Sequence, residues 1–183
     1  MILNVGTARN RKPEAVLLRI RKSREERAGK MNYILKQKIN NRMEMNFEAL
    51  SENESLARIA VASFIMSLNP TLEELADIKT AVSEAVTNAI IHGYEEGEGT
   101  IALRCLMRGD LLEVEIEDKG KGIGDIEQAM EPLFTTKPDK DRSGMGFSFM
   151  EAFMDDLEVT SIQGMGTVVR MKKKLGTRSW LEI

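Results

Sequence analysis

From about residue 45 onward the apolar positions of this chain keep two rhythms in turn, one of period two and one close to period four. Residues 45–50 can form a short strand. The next four residues offer Ser51 as an N-cap with Glu54 three positions on, a capping box that opens a helix to about residue 68. On that helix Leu56, Ile59, Ala60, Ser63 and Phe64 share one face, the expected core side. Asn69-Pro70 breaks it, and Thr71 with Glu74 repeats the box to open a second helix, with Leu75, Ile78, Val82, Val86 and Ala89 as its buried side. Ile101, Leu103 and Cys105, then Leu112, Val114 and Ile116, step by two on either side of Arg108-Gly109-Asp110, which predicts a hairpin. Two further strands are expected at 157–162 and 167–173, joined by Gly164-Met165-Gly166, with a helix starting near Gly146 between the hairpins. This order predicts a two-layer α/β sandwich, a mixed sheet with helices on one face.

With 183 residues and 42% hydrophobic composition, the chain can bury one good core. No run approaches the ~18 apolar residues of a membrane span, and the start lacks the pattern of a secretory signal, so a cytoplasmic protein with no membrane association is expected. Cys105 is alone, which leaves no disulfide framework, and its place in an alternating apolar run reads as a small core residue. The net charge of −3 is unevenly divided: residues 1–42 carry 12 Lys and Arg against 3 Asp and Glu, the remainder 14 against 26. Such a basic arm on an acidic body could touch nucleic acid or an anionic surface. Its scarcity of apolar and aromatic residues favours instead a solvated or disordered extension, or an upstream start ahead of Met43 or Met45. The expected organisation is an extension over 1–42, one domain over 43–176 and a tail over 177–183.

Glu84, Asn88 and His92 recur at four-residue intervals on the second helix. Each step drifts only about 40° around the axis, so the three form one polar stripe, about 120° from the buried side, with the small Ala85, Thr87 and Ala89 around it. Directly after a hydrophobic strand comes Asp118-Lys119-Gly120-Lys121-Gly122-Ile123-Gly124, where glycines let the backbone bend and the aspartate can accept from an amino group. In residues 142–147, RSGMGF, glycines precede a helix, so free amides and the positive helix end face an anion such as phosphate. A fourth segment, GMGT at 164–167, reads in isolation as a β-turn. No G-x-x-x-x-G-K-[ST] occurs, and the glycines after Asp118 open no helix of the dinucleotide-binding type.

In order, EAVTNAIIH, DKGKGIG, PLFTTK, RSGMGF and GMGT resemble the N, G1, F, G2 and G3 boxes of the GHKL ATPase/kinase superfamily, and the ordered set is far more specific than any one box. With NESLARIAVASFI at 53–65, the chain is most similar to the anti-sigma serine kinase family of spore-forming bacteria, over about residues 44–175. The resemblance implies the GHKL (Bergerat) ATP-binding fold. It implies Asn88 as the Mg²⁺ ligand, Asp118 as the acceptor of the adenine amino group backed by Thr167, and Gly122 and Gly124 along the base. Gly144, Met145 and Gly146 fall to the triphosphate, and Thr135, Thr136 and Lys137 to a mobile lid. Glu84, one helical turn from Asn88, can take the proton of a hydroxyl aligned with the γ-phosphate. His92, the sole histidine, is expected to be structural. Arg58 lies in the partner-recognition helix.

The implied cofactors are ATP and Mg²⁺. The implied partners are sigma factor F and an anti-anti-sigma protein that accepts phosphate on serine, with the chain as a homodimer that does not bind DNA directly. Two other readings stand beside this one: an ATP-dependent sigma-binding module that transfers no phosphate, and another GHKL ATPase or histidine-kinase catalytic domain. Glu84 with an intact G2 box favours phosphotransfer. The lack of a second histidine argues against a sensor kinase.

Overall fold

The computed structural model describes residues 16–21, 40–132 and 144–176. Six strands form one sheet: β1 (Val16–Arg21), β2 (Asn41–Glu48), β3 (Thr100–Arg108), β4 (Leu111–Asp118), β5 (Asp156–Ile162) and β6 (Gly166–Lys174), in the spatial order β1-β5-β6-β4-β3-β2. The helices are α1 (Ser51–Ile65), α2 (Leu72–Asn88), a short α3 (Ile126–Ala129) and α4 (Gly146–Phe153). The expected two-layer sandwich is present, but every strand pairing is antiparallel where a mixed sheet was expected. Two tight hairpins, β3–β4 and β5–β6, supply antiparallel pairs directly, and β6 joins them by lying antiparallel to β4. β2 begins at Asn41, four residues before the expected start. Among the described residues, no helix is long and apolar enough to cross a membrane.

The period-two pattern decides what each face does. Ile101, Leu103, Cys105 and Met107 on β3, Leu112, Val114 and Ile116 on β4, Leu157 and Val159 on β5, and Val169 and Met171 on β6 are buried beneath the helices. Cys105 is a core residue as expected, and burial pushes its thiol up to about 12. α2 opens with the Thr71/Glu74 capping box and buries Ile78, Ala81, Val82, Ala85 and Val86, with Leu75 only partly covered. Lys173 on β6 donates to Asp77 on α2 (3.0 Å) and also to the Phe153 carbonyl at the end of α4, which braces both helices against the sheet.

α1 departs from expectation twice. Its N-cap is Leu50, with no side-chain cap, because the buried Ala49 leads from β2 straight into the helix. Ser51 is thus the first helical residue, and Glu54 turns to Arg58 (3.5 Å) instead of closing a box. The buried side is Ala57, Val61 and Ile65, with Phe64 partly covered, whereas Leu56 and Ile59 remain 48% and 60% exposed. The helix carries two apolar stripes. The one with the smaller residues faces α2, where close approach of two helix backbones favours them.

On the opposite face, one row of directly paired positions alternates in charge: Glu44, Arg104, Glu115, Arg170 and Glu158 across β2, β3, β4, β6 and β5. Arg104 reaches Glu44 (3.0 Å), Glu115 (2.7 Å) and, diagonally, Glu117 (2.6 Å), while Arg170 binds the other oxygen of Glu115. A one-residue slip of any strand would break this row and expose the core face, so charge and burial specify the same register. Burial pulls the Glu115 carboxyl upward, but hydrogen bonds from Arg104 and Arg170 outweigh it and hold it below the usual carboxylate range. Its stabilising effect is therefore present above the unfolded-state value, near 4, and is lost as pH falls through the depressed one. Glu115→Gln is expected to cost about 1 kcal/mol at pH 7, measured by urea unfolding, with the gap to wild type closing in strong acid. An unchanged urea midpoint at pH 7 would count against the row as a register device.

Candidate functional site

The site lies where α2 meets the ends of β4 and β6. α2 does not stop at Asn88: residues Ala89–Gly93 continue as a wider π-helical turn in which the Tyr94 amide donates to the Ala89 carbonyl (2.9 Å). This turn brings Gly93 against the Asp118 carboxylate, where a β-carbon would stand 2.9 Å from Oδ1. The loop after β4 closes on the same point. The Lys121 amide donates to the Gly93 carbonyl (2.9 Å), and a β-carbon on Gly120 would lie 2.2 Å from that carbonyl oxygen. Tyr94 fastens the junction from outside, its hydroxyl donating to the Thr100 carbonyl (2.7 Å) and accepting from the Lys119 amide (2.8 Å).

The second approach is between the loop after β4 and the β5–β6 turn. Gly122 has φ +69° and a side chain there would meet the Ile162 carbonyl at 2.2 Å, while Gly166, at φ +107°, passes within 2.0 Å of the Asp118 carbonyl by the same measure. Only glycine meets both demands at these two positions. The Gly164 amide donates to the Lys121 carbonyl (2.6 Å) and the Ile123 amide to the Ser161 hydroxyl (2.8 Å). Asp125 then caps α3 by accepting from the Gln128 amide (2.9 Å).

These contacts enclose a cavity of about 390 Å³, a size that suits a small-molecule ligand. Asn88, His92, Asp118, Gly122, Gly124 and Thr167 line it, and Gly144 and Gly146 form its far side at the start of α4. Glu84 stands beside Gly146 just outside this lining. A β-carbon at Gly146 would sit 3.0 Å from Glu84 Oε2 and 3.3 Å from both amide atoms of Asn88. Asp118 is 7% exposed and accepts from the amides of Gly120 and Thr167. Burial raises its carboxyl to about 6, against the pull of those two amides and with a small push from Glu117.

Of the residues expected at the site, Asn88, Asp118, Gly122, Gly124, Gly144, Gly146 and Thr167 thus surround one cavity. Gly124 needs no glycine for packing, since the nearest atom to an added β-carbon, on Gln163, is 3.8 Å away. Met145 is the N-cap of α4, where its carbonyl accepts from the Phe149 amide (2.9 Å), and is not among the lining residues. Thr135, Thr136 and Lys137 lie outside the described residues. Arg58 is on α1, away from the cavity, paired with Glu54 and half-buried rather than fully exposed. His92, expected to be structural, is at the cavity wall. Sequence reasoning missed Gly93 and Ser161, and it marked Gly120 only as a point where the backbone can bend. For Ser161 the signal was available: it is a polar residue in phase with the buried Leu157 and Val159.

Residues 47–173 match the family model of the histidine kinase-like ATPase domain. The chain is 57% identical to the anti-sigma F factor of Thermoanaerobacter sp. (strain X514) over 137 residues, 75% of this chain and 96% of that protein. It is 55% identical to the anti-sigma F factor of Bacillus subtilis (strain 168) over 136 residues, 74% of this chain and 93% of that one. In fold, it resembles a solved structure of the RsbU and RsbW domains of a Mycobacterium tuberculosis protein, with a TM-score of 0.56 at 18% identity, over 76% of this chain and 34% of the other. With a family model matching well over half of the chain and relatives this similar over nearly their full length, the chain belongs to the anti-sigma F factor family of histidine kinase-like ATPase domains.

Proposed function

We propose that this chain is an anti-sigma factor and serine protein kinase that binds Mg-ATP in the cavity. It phosphorylates an anti-anti-sigma protein on serine and captures sigma factor F, keeping it from RNA polymerase. The observation that carries the reading is the convergence on Gly146, where a carboxylate, a neutral amide and the start of an α-helix meet at one spot. In this reading the Asp118 carboxylate accepts from the adenine amino group beside Thr167, with Gly122 and Gly124 along the base. The amides of Gly144, Met145 and Gly146 face the phosphates, and Thr135, Thr136 and Lys137 belong to the lid.

The Asn88 carbonyl fits magnesium, which takes a few protein oxygens and completes its shell with phosphate and water. When bound, the metal neutralises charge on the phosphates. Glu84, within reach of the same point, takes the proton of the acceptor serine as the serine oxygen bonds to the γ-phosphorus and the bond to the ADP oxygen breaks. α1 supplies the partner face. Arg58 offers a guanidinium to an acidic surface, flanked by the exposed Leu56 and Ile59, and the protein acts as a homodimer. The names of the relatives, anti-sigma F factors, support the sigma-factor partner.

Paired substitutions separate the two roles at Gly146. Glu84→Gln keeps shape but removes basicity, so phosphotransfer to the acceptor is expected to fall by about 10²–10⁴ while ATP affinity changes little. Asn88→Ala is expected to weaken Mg-ATP binding with the fold intact by circular dichroism. A wild-type phosphorylation rate in Glu84→Gln would favour the binding-module reading.

The raised Asp118 carboxyl gives a pH signature. Adenine needs the ionised acceptor, so ATP affinity is expected to drop as pH falls through about 6, by about tenfold per unit below it. The same shift acts oppositely on the empty protein: with the folded value above the unfolded one, Asp118 favours the native state below about 4, and this is lost as pH rises through about 6. Calorimetric titration from pH 5 to 8 is the measurement, and Asp118→Asn is expected to remove the inflection. A wild-type profile without one excludes Asp118 as the ionised acceptor.

For the partner face, Arg58→Glu is expected to impair sigma-factor capture in a pull-down and spare ATP binding. Equal capture by mutant and wild type would remove Arg58 from the interface.

A further inference from the structure

Asp118, Ser161 and Thr167 are the buried polar side chains among the described residues, and all three occupy core-facing positions at one end of the sheet. Asp118 and Thr167 border the cavity, whereas Ser161, 1% exposed, lies behind it. Its hydroxyl has three neighbours: the Ile123 amide at 2.8 Å, the Gly166 carbonyl at 3.0 Å and the Thr167 hydroxyl at 3.0 Å. A serine hydroxyl holds one proton and two lone pairs, so a single arrangement satisfies all three. The Ile123 N–H can only donate, and fills one lone pair. The Gly166 carbonyl can only accept, and takes the Ser161 proton. The remaining lone pair receives the proton of Thr167. Thr167 is thereby left with lone pairs, and no proton, to present to the cavity.

We propose that Ser161 is a specificity-determining positioning residue, an inference that rests on reading the cavity as the nucleotide site. By holding the Thr167 proton away from the cavity, Ser161 turns the wall formed by Thr167 and the Asp118 carboxylate into one that only accepts hydrogen bonds. Such a wall suits a purine edge bearing an exocyclic amine. A purine with a carbonyl at that place meets two acceptors with no proton between them, an unpaired contact that a site built this way rejects. If Ser161 were absent, the Thr167 hydroxyl could rotate and donate to that carbonyl. Ser161 is not among the lining residues; its bond from the Ile123 amide holds the loop after β4, and its effect on the choice of base runs through Thr167.

The test is the ratio of Mg-ATP to Mg-GTP dissociation constants, with inorganic tripolyphosphate as a probe of the phosphate end. Ser161→Ala is expected to lower the preference for ATP about tenfold and leave tripolyphosphate binding unchanged. In a Thr167→Val background the same substitution is expected to have no further effect on the ratio, which a merely structural loss would not reproduce. Ser161→Cys, with a weak donor and acceptor, is expected to fall between, and it carries the test if the alanine variant fails to fold. A wild-type ratio in Ser161→Ala, or an effect that persists with Thr167→Val, would overturn the proposal. Asp118→Asn distinguishes the causes. If it lowers the ATP preference while Ser161→Ala does not, the adenine reading stands and Ser161 has no part in it. If neither changes the ratio, the reading of the base site fails and takes this proposal with it.

Discussion

The buried Asp118 carboxylate constrains its whole surroundings, because a charge taken out of water must be met by hydrogen-bond donors held in place. Here the donors are backbone amides, those of Gly120 and Thr167, and amides come close enough only if the chain can bend tightly around the carboxylate. That requirement explains the glycines. Gly93 leaves room beside the carboxylate, Gly120 lets the next loop lie on Gly93, and Gly166 lets β6 begin against the Asp118 carbonyl. The π-helical turn at the end of α2 serves the same end, since it alters where Gly93 sits relative to β4. One acidic side chain thus brings together three chain segments that are far apart in sequence, and the cavity is the space they leave.

The rest of the molecule holds those segments still. Apolar strand faces under the helices and a row of alternating charge on the open face fix one register for the sheet. That register sets Asp118 opposite Thr167 and Ser161 opposite Thr167 from the other side. A slip would move all three polar groups out of the core-facing phase together. Lys173 carries the constraint to the helices, because its bond to the Phe153 carbonyl steadies the end of α4 opposite Gly146.

α1 shows the limit of pattern reasoning. Its two apolar stripes satisfy helical periodicity equally well, and Leu56 and Ile59 are larger than Ala57 and Val61, so hydrophobicity alone points to the wrong side. Shape decided the matter: the stripe with the smaller residues faces α2, and the bulkier one is left on the surface beside Arg58.

The sequence by itself determined the sandwich, both hairpins, the second capping box and the polar stripe of α2, because each depends on residues close together in the chain. It also marked the separated glycine-rich segments, whose resemblance to known boxes implied a nucleotide site. Tertiary structure alone decided that every strand pair is antiparallel, which stripe of α1 is buried, and that Gly93 carries the site as much as the glycines of the recognised boxes. These outcomes depend on distances between segments remote in sequence. Ser161 lay between the two: its polar side chain in the core phase was legible along β5, but the direction of its proton follows only from the carbonyl of Gly166 and the hydroxyl of Thr167 standing 3.0 Å away.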